Sequence, residues 1–228
     1  MSDYKTVYAY NPTIGEYAGE TKAYANPREG GYMMPANATE TEPPEAGEHQ
    51  APVFADGAWS LVPDYRGAVY YDKSTQEKHE IKDINVEPAA DWTDVEPTDR
   101  DAVWTDGAWV VPFAVLKTRK YAEIAAARWA AQTSGCAWNG HTLASDREGR
   151  SSVVEAYNIA MLAGEAYEPQ LWKFVDGFAT VTVNDLAAMG AALAAHVQAG
   201  FDREAALVAQ IEAAETPEAL AEIVWPES

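Results

Sequence analysis

Phe54-Ala55-Asp56-Gly57-Ala58-Trp59 recurs as Trp104-Thr105-Asp106-Gly107-Ala108-Trp109, and Phe174-Val175-Asp176-Gly177-Phe178 is a looser third copy. Each sets an Asp-Gly pair between aromatic or apolar residues. A type I′ turn needs positive φ at both central positions, which Asp and Gly tolerate, and its twist matches that of the strands it joins. Three hairpins with aromatic cross-strand pairs are therefore predicted. Asn139-Gly140, between Cys136-Ala137-Trp138 and His141-Thr142-Leu143, signals a fourth.

Working outward from these hairpins, residues 4–24 alternate loosely around Asn11-Pro12 and Gly15, as a hairpin does. Residues 26–50, punctuated by Pro27, Pro35, Pro43 and Pro44, read as an extended connector, polyproline-like in part. Residues 61–84 read as strand, turn, strand, with the turn at residues 72–76. Residues 83–106 hold eight acidic side chains against Arg100 alone, the pattern of a solvated loop.

Helices dominate beyond residue 116. Tyr121, Ile124, Ala127 and Ala131 recur at helical spacing over residues 115–132, and Gly135 ends the run. Ser145 or Asp146 caps a helix reaching about residue 163. Thr182 or Asn184 caps another with Leu186, Met189, Leu193 and Val197 on its apolar face. A separate helix is expected from Asp202 through Leu207 and Ile211, and Thr216-Pro217 opens a last short one. The fold class is α+β: a β-hairpin-rich N-terminal module over residues 1–86, an acidic connector carrying an Asp-Gly hairpin over 87–116, and a compact domain of helices and short hairpins over 117–228.

Composition narrows the partners. The chain has 228 residues, 16 Lys plus Arg and 36 Asp plus Glu, for a net charge of −20. Such a field repels polyanions, so neither nucleic acid nor an anionic bilayer is an expected partner. Residues 1–10 lack a basic segment followed by an apolar run, so no export signal is expected, and no stretch suits membrane insertion. Cys136 stands alone, which excludes internal disulfides and multi-thiolate metal sites.

Chemistry is hard to find. His49, His79, His141 and His196 show no metal-ligand spacing, and the acidic loops lack the calcium-loop pattern. A Cys136 and His141 nucleophile pair lacks an orienting third group. Acids and aromatics together suit a glycoside hydrolase, yet the acids cluster in Pro-rich loops and not in the apolar settings that raise a general acid's pKa. Phosphate-cradling glycine motifs are missing. No catalytic residue, metal or cofactor is therefore expected. Eight Trp and twelve Tyr remain as the feature to explain. They serve either as hairpin staples or as a contact surface.

The order of motifs in residues 4–86 resembles the bacteriophage tail-fibre assembly (tail-fibre chaperone) family. The matching residues are Tyr8-Ala9-Tyr10-Asn11 with Gly15-Glu16-Tyr17, Asn26-Pro27 with Gly30-Gly31-Tyr32, Pro35-Ala36-Asn37-Ala38-Thr39, Pro43-Pro44, and Asp56-Gly57-Ala58-Trp59 leading into Val62-Pro63-Asp64-Tyr65-Arg66-Gly67 and on to Asp72. Residues 117–225 separately resemble a domain of unknown function found in phage tail-fibre-associated proteins. Its landmarks are residues 119–128, Trp138-Asn139-Gly140, Asp146-Arg147, Trp172, Asp176-Gly177-Phe178, His196 to Ala199 with Phe201, and Ile223-Val224-Trp225.

These resemblances imply a non-enzymatic chaperone that binds the distal tip of a trimeric tail fibre and promotes its trimerisation. The alternative is a structural or adhesive virion component that binds host surface glycan or a neighbouring tail protein. The expected location is the host cytoplasm during assembly, or the virion tail. Trp59, Tyr65, Arg66, Tyr70, Trp104 and Trp109 are the expected partner-binding residues.

Overall fold

The computed structural model describes residues 3–226. Its elements are those of an α+β protein, with short antiparallel strands and four α-helices. The chain divides into two compact units, Met1–Val110 and Val111–Ser228.

The first unit is built of small sheets. Strands β1 (Tyr4–Tyr10) and β2 (Tyr17–Ala25) pair in the expected N-terminal hairpin. Residues 26–50 do more than connect. They supply β3 (Tyr32–Met33) against β2 and β4 (Ala38–Thr39) against β1, giving the sheet order β3-β2-β1-β4. The reason lies in the two open edges of the first hairpin, whose backbone groups need partners. The reversal is local: the Asn26 side chain accepts hydrogen bonds from the Arg28 and Glu29 amides, and Gly30 and Gly31 both take positive φ.

Strands β5 (Gln50–Ala55) and β6 (Ala58–Pro63) form the next hairpin, which leans on the first: the Phe54 amide donates to the Gly15 carbonyl at 2.9 Å. Then β7 (Val69–Asp72) pairs with β8 (Lys78–Glu80) on one side and with β9 (Trp92–Thr93) on the other. The acidic stretch thus contributes a strand as well as loops. Strands β10 (Val103–Thr105) and β11 (Ala108–Val110) complete the unit. Its buried side chains, among them Val7, Ala23, Ala51, Tyr71, Ile81 and Ala102, are scattered through these sheets and the residues that flank them.

In the second unit, helix α1 (Phe113–Thr133) precedes the hairpin of β12 (Cys136–Trp138) and β13 (His141–Leu143). Asp146 caps α2 (Arg147–Ala163), its carboxylate accepting from the Gly149 amide at 2.7 Å. The hairpin of β14 (Gln170–Phe174) and β15 (Gly177–Val181) leads into α3 (Val183–Ala213), and α4 (Pro217–Ala221) follows with Thr216 as cap. One cluster of Leu143, Val153, Phe174, Leu186, Met189 and Leu193 forms a core; a second contains Ile124, Leu207, Ile211 and Leu220.

Two sequence expectations need correction here. The helices expected on either side of residues 198–201 are one 31-residue helix, α3, closed at its start by a reciprocal box between Thr182 and Asp185. Gly200 costs about 1 kcal/mol of helix propensity, but α1 packs across that point. Arg128 lies 2.9 Å from Glu204 and over the Phe201 ring at 5.0 Å, and Gln198 bonds Asp202 at 2.8 Å along the helix. The helix therefore runs through both cores.

The other correction concerns the third hairpin turn. Asp56-Gly57, Asp106-Gly107 and Asn139-Gly140 all have positive φ at both positions, as type I′ turns require. In the third copy, however, Phe174 pairs with Gly177, so the loop residues are Val175 and Asp176, neither at positive φ. A β-branched Val resists that region, and the turn shifts by one residue.

Candidate functional site

The strand pairing of the first unit assembles five rings in a row. Tyr70 on β7 pairs with His79 on β8. Trp92 on β9 lies opposite Asp72 and so reaches diagonally to both. His79 stacks flat on Trp92, with centroids 4.1 Å apart and planes 5° off parallel, and Tyr70 meets Trp92 at 6.5 Å. Tyr65 approaches Tyr70 edge-on at 6.5 Å, and His49 stacks on Tyr65 at 4.5 Å. The run is thus His49, Tyr65, Tyr70, Trp92, His79. All but His49 are half-buried, and His49 is exposed.

Two devices hold the Tyr65 end. His49 sits at φ 55°, a left-handed conformation unfavourable by about 1 kcal/mol for a residue with a Cβ, while its carbonyl accepts from the Asp64 amide at 2.8 Å. Arg66 grips Asp64 through Nε and Nη2, each at 2.7 Å, and reaches Glu16 with both terminal nitrogens. The Arg66 side chain is 34% exposed. Its hydrogen bonds hold the Asp64 carboxyl below the usual carboxylate range, and the two carboxylates raise the guanidinium's own pKa. Burial, with lesser repulsion from Tyr65 and Asp94, pushes the Tyr70 phenol up. Lys78, Glu80 and Lys82 border a shallow concavity of about 400 Å³ beside His79 and Trp92.

Of the six residues expected from sequence, Tyr65 and Tyr70 lie in this run and Arg66 fixes the turn bearing Tyr65. Trp59 belongs to a different cluster, against Phe54 at 5.1 Å, Tyr17 at 5.8 Å and Tyr10 at 6.4 Å, with its indole nitrogen donating to the Thr41 carbonyl at 2.7 Å. Trp104 and Trp109 pack edge-to-face at 5.2 Å across β10 and β11, and the Trp109 indole donates to the Val95 carbonyl at 2.8 Å. Sequence reasoning missed Trp92, His79 and His49 as members of a run. Spacing carries no trace of it, because the rings come from four separated segments, at residues 49, 65–70, 79 and 92.

In the second unit, His141 Nδ1 lies 3.4 Å from Asp176, the orienting group that the sequence did not reveal. Asp176 also accepts from the Thr142 amide at 3.0 Å, and His141 stacks on Phe174 at 4.5 Å, so the contact closes one hairpin over another. Cys136 is buried, its Sγ directed to the Ala192 and Ala137 carbonyls, and burial pushes its thiol pKa up, away from nucleophilic thiolate chemistry. Among the described residues no group of three or more His, Cys, Asp or Glu could hold a metal ion, and no helix is long and apolar enough to cross a membrane.

Comparison with known proteins places this geometry in context. Residues 115–224 match a family described as a domain of unknown function, DUF4376. The "Tail fiber assembly protein" of Escherichia phage lambda is 32% identical over 110 residues, covering 46% of this chain and 55% of that protein. The resemblance to the tail-fibre assembly family is therefore real. The "Prophage tail fiber assembly protein homolog TfaR" of Escherichia coli strain K12 is likewise 32% identical over 110 residues, 56% of its own length. The chain spans about half the length of these curated relatives. No solved structure matches it significantly.

Proposed function

We propose that this protein serves the assembly of a phage tail fibre as a non-enzymatic chaperone, binding the fibre's distal tip and promoting its trimerisation. The observation that carries the reading is the 32% identity to proteins named for tail-fibre assembly. The aromatic run of the first unit supplies a contact surface suited to the task. Incompletely closed β-rich tips expose strand edges and apolar side chains, which aggregate unless covered. Half-buried rings held by a stacked neighbour and an ion-paired turn bind with little loss of side-chain freedom. The surrounding carboxylates keep such a sticky surface in solution.

Within this reading Tyr65, Tyr70 and Trp92 make the contact, Arg66 positions Tyr65, and Trp59, Trp104 and Trp109 hold the loops at either side. Co-expression of the cognate fibre with this protein tests it. Trimer yield should rise with the wild-type chain and fall when Tyr65→Ala and Tyr70→Ala are combined. A fibre that trimerises equally well without the protein defeats the proposal.

A second reading has one observation in its favour. The flat His79 and Trp92 stack beside Lys78 and Lys82 suits the apolar face of a surface sugar. Under it the protein stays in the virion as an adhesive component, and mass spectrometry of purified particles would find it there.

A further inference from the structure

The end of α1, one face of α3 and the segment after α4 line a cavity of about 260 Å³ in the second unit. His196, Ala199, Gly200 and Arg203 reach it from α3, at the spacing that puts them on one side of a helix. Ala199 and Gly200, with Ala131 of α1, are small enough to leave the space open, and Gln132 and Trp225 complete the lining. The volume falls just under the roughly 300–1,000 Å³ of ordinary small-molecule sites, which suits a group the size of one side chain.

A helix end leaves unpaired carbonyls that favour a cation, but here hydroxyls take them. Thr133 Oγ1 donates to the Trp129 carbonyl at 2.9 Å, Ser134 Oγ to that of Ala131 at 2.9 Å, and the buried Ser145 Oγ to that of Gln132 at 2.7 Å. The side chains still without partners are donors. Gln132 is 4% exposed; its side-chain oxygen accepts from Arg128 Nη1, while its NH₂ group has no acceptor among the described residues. His196 Nε2 is buried without a hydrogen-bond partner, and it donates in the tautomer that carries the proton there.

Arg203 supplies the charge. Its guanidinium lies 5.4 Å from the centre of the Trp225 ring, and stacking of this kind leaves the in-plane N–H groups free. The acids on either side of it are committed elsewhere, Glu204 to Arg128 at 2.9 Å and Asp202 to Gln198 at 2.8 Å, and no acid stands three or four residues away on α3. Arg128 is thus neutralised within the fold, whereas no carboxylate among the described residues pairs with Arg203. In a chain of net charge −20, a cation and two neutral donors around one cavity, with the neighbouring carbonyls already used, select an oxygen anion.

We propose that this cavity binds a carboxylate carried on a small apolar body, the carboxylate taken by Arg203, Gln132 and His196 and the body lying beside Trp225. The inference is independent of any role in fibre assembly. It is tested on the isotope-labelled full chain by following the tryptophan indole signals in nuclear magnetic resonance spectra, with Trp225 assigned by the signal that Trp225→Phe removes. Phenylpropionate should shift that signal saturably, with a Kd on the order of 1 mM. Phenylpropionamide, the same body without the charge, should not.

Arg203→Gln should keep the wild-type circular dichroism and weaken phenylpropionate binding about tenfold, while Lys173→Gln, which does not line the cavity, should leave it unchanged. A tripeptide ending in phenylalanine with a free terminal carboxylate separates the two sources of such a group. Tighter binding than phenylpropionate assigns the site to a polypeptide chain end and weaker binding to a free acid, and either result upholds the carboxylate. No saturable shift up to about 20 mM, equal binding of the amide, or an Arg203→Gln variant that binds like the wild type would overturn the proposal.

Discussion

Arg66 and Glu16, 50 residues apart in the chain, meet as a two-point ion pair, with Nη1 and Nη2 reaching Oε2 and Oε1 at 3.0 and 2.5 Å. Because Arg66 also clasps Asp64, a single guanidinium ties the end of the first hairpin to the turn that carries Tyr65. The first unit has few buried side chains, so such ties do work that a large core does elsewhere.

Arg66→Lys removes the fork geometry and keeps the charge. Since both partners are partly solvated, the expected loss is about 1 kcal/mol, read as a lowered urea midpoint. A change in the near-ultraviolet signal of Tyr65 should accompany it. An unchanged midpoint would show that the pair holds nothing.

Trp59→Phe keeps the ring contacts with Phe54 and Tyr17 and deletes the bond to the Thr41 carbonyl. The expected cost is about 1 kcal/mol, together with faster proteolysis within residues 40–49. Cleavage at the wild-type rate would mean that the indole nitrogen does not pin that loop.

Gly149→Ala opposes two effects. Helix propensity favours Ala by up to about 1 kcal/mol, yet the new Cβ would lie 2.2 Å from the Ala144 carbonyl oxygen and 2.6 Å from the Ala144 Cβ. Steric conflict with backbone should dominate, for a net loss of about 1–3 kcal/mol. Gly190→Ala meets nothing within 4 Å and should be neutral or stabilising by thermal melt. Equal effects at the two positions would contradict the packing described here.

Acid should weaken the fold through three carboxylates. Asp64 is held below its ordinary range first by the Arg66 guanidinium, Asp72 by the Ser74 hydroxyl and the Thr75 and Ser74 amides, and Asp185 by the Thr182 hydroxyl and amide. Each folded pKa lies below its unfolded value near 3.9. The unfolded chain then binds more protons between the two values, so this stability is fully present above about pH 5 and is lost as pH falls. Melting temperature should drop steadily below about pH 4. Asp72→Asn, which retains the turn's acceptor, should flatten that slope, and an identical slope would remove Asp72 from the account.

Local chemistry made much of this molecule legible. Asp56-Gly57, Asp106-Gly107 and Asn139-Gly140 specify their turns because few residues accept two consecutive positive φ values. Thr182 with Asp185, Asp146 and Thr216-Pro217 mark helix starts because an oxygen there satisfies amides that the helix cannot. Such signals act over a few residues and need no knowledge of the rest of the chain.

Long-range pairing was illegible for the complementary reason. The strands at residues 32–33 and 38–39 are two residues each and exist only because the first hairpin offers open edges. The continuity of α3 past Gly200 depends on Arg128 and its contacts from another helix. Trp92 joins Tyr70 and His79 because β9 pairs with β7 across the acidic stretch, a register set by backbone hydrogen bonds and not by periodicity. The sequence by itself determined three of the four Asp-Gly and Asn-Gly turns, the caps and the α+β class, all consequences of short-range sterics and hydrogen bonding. Only tertiary structure decided which aromatics meet, because ring contacts between distant segments follow from strand order and register, which no local pattern encodes.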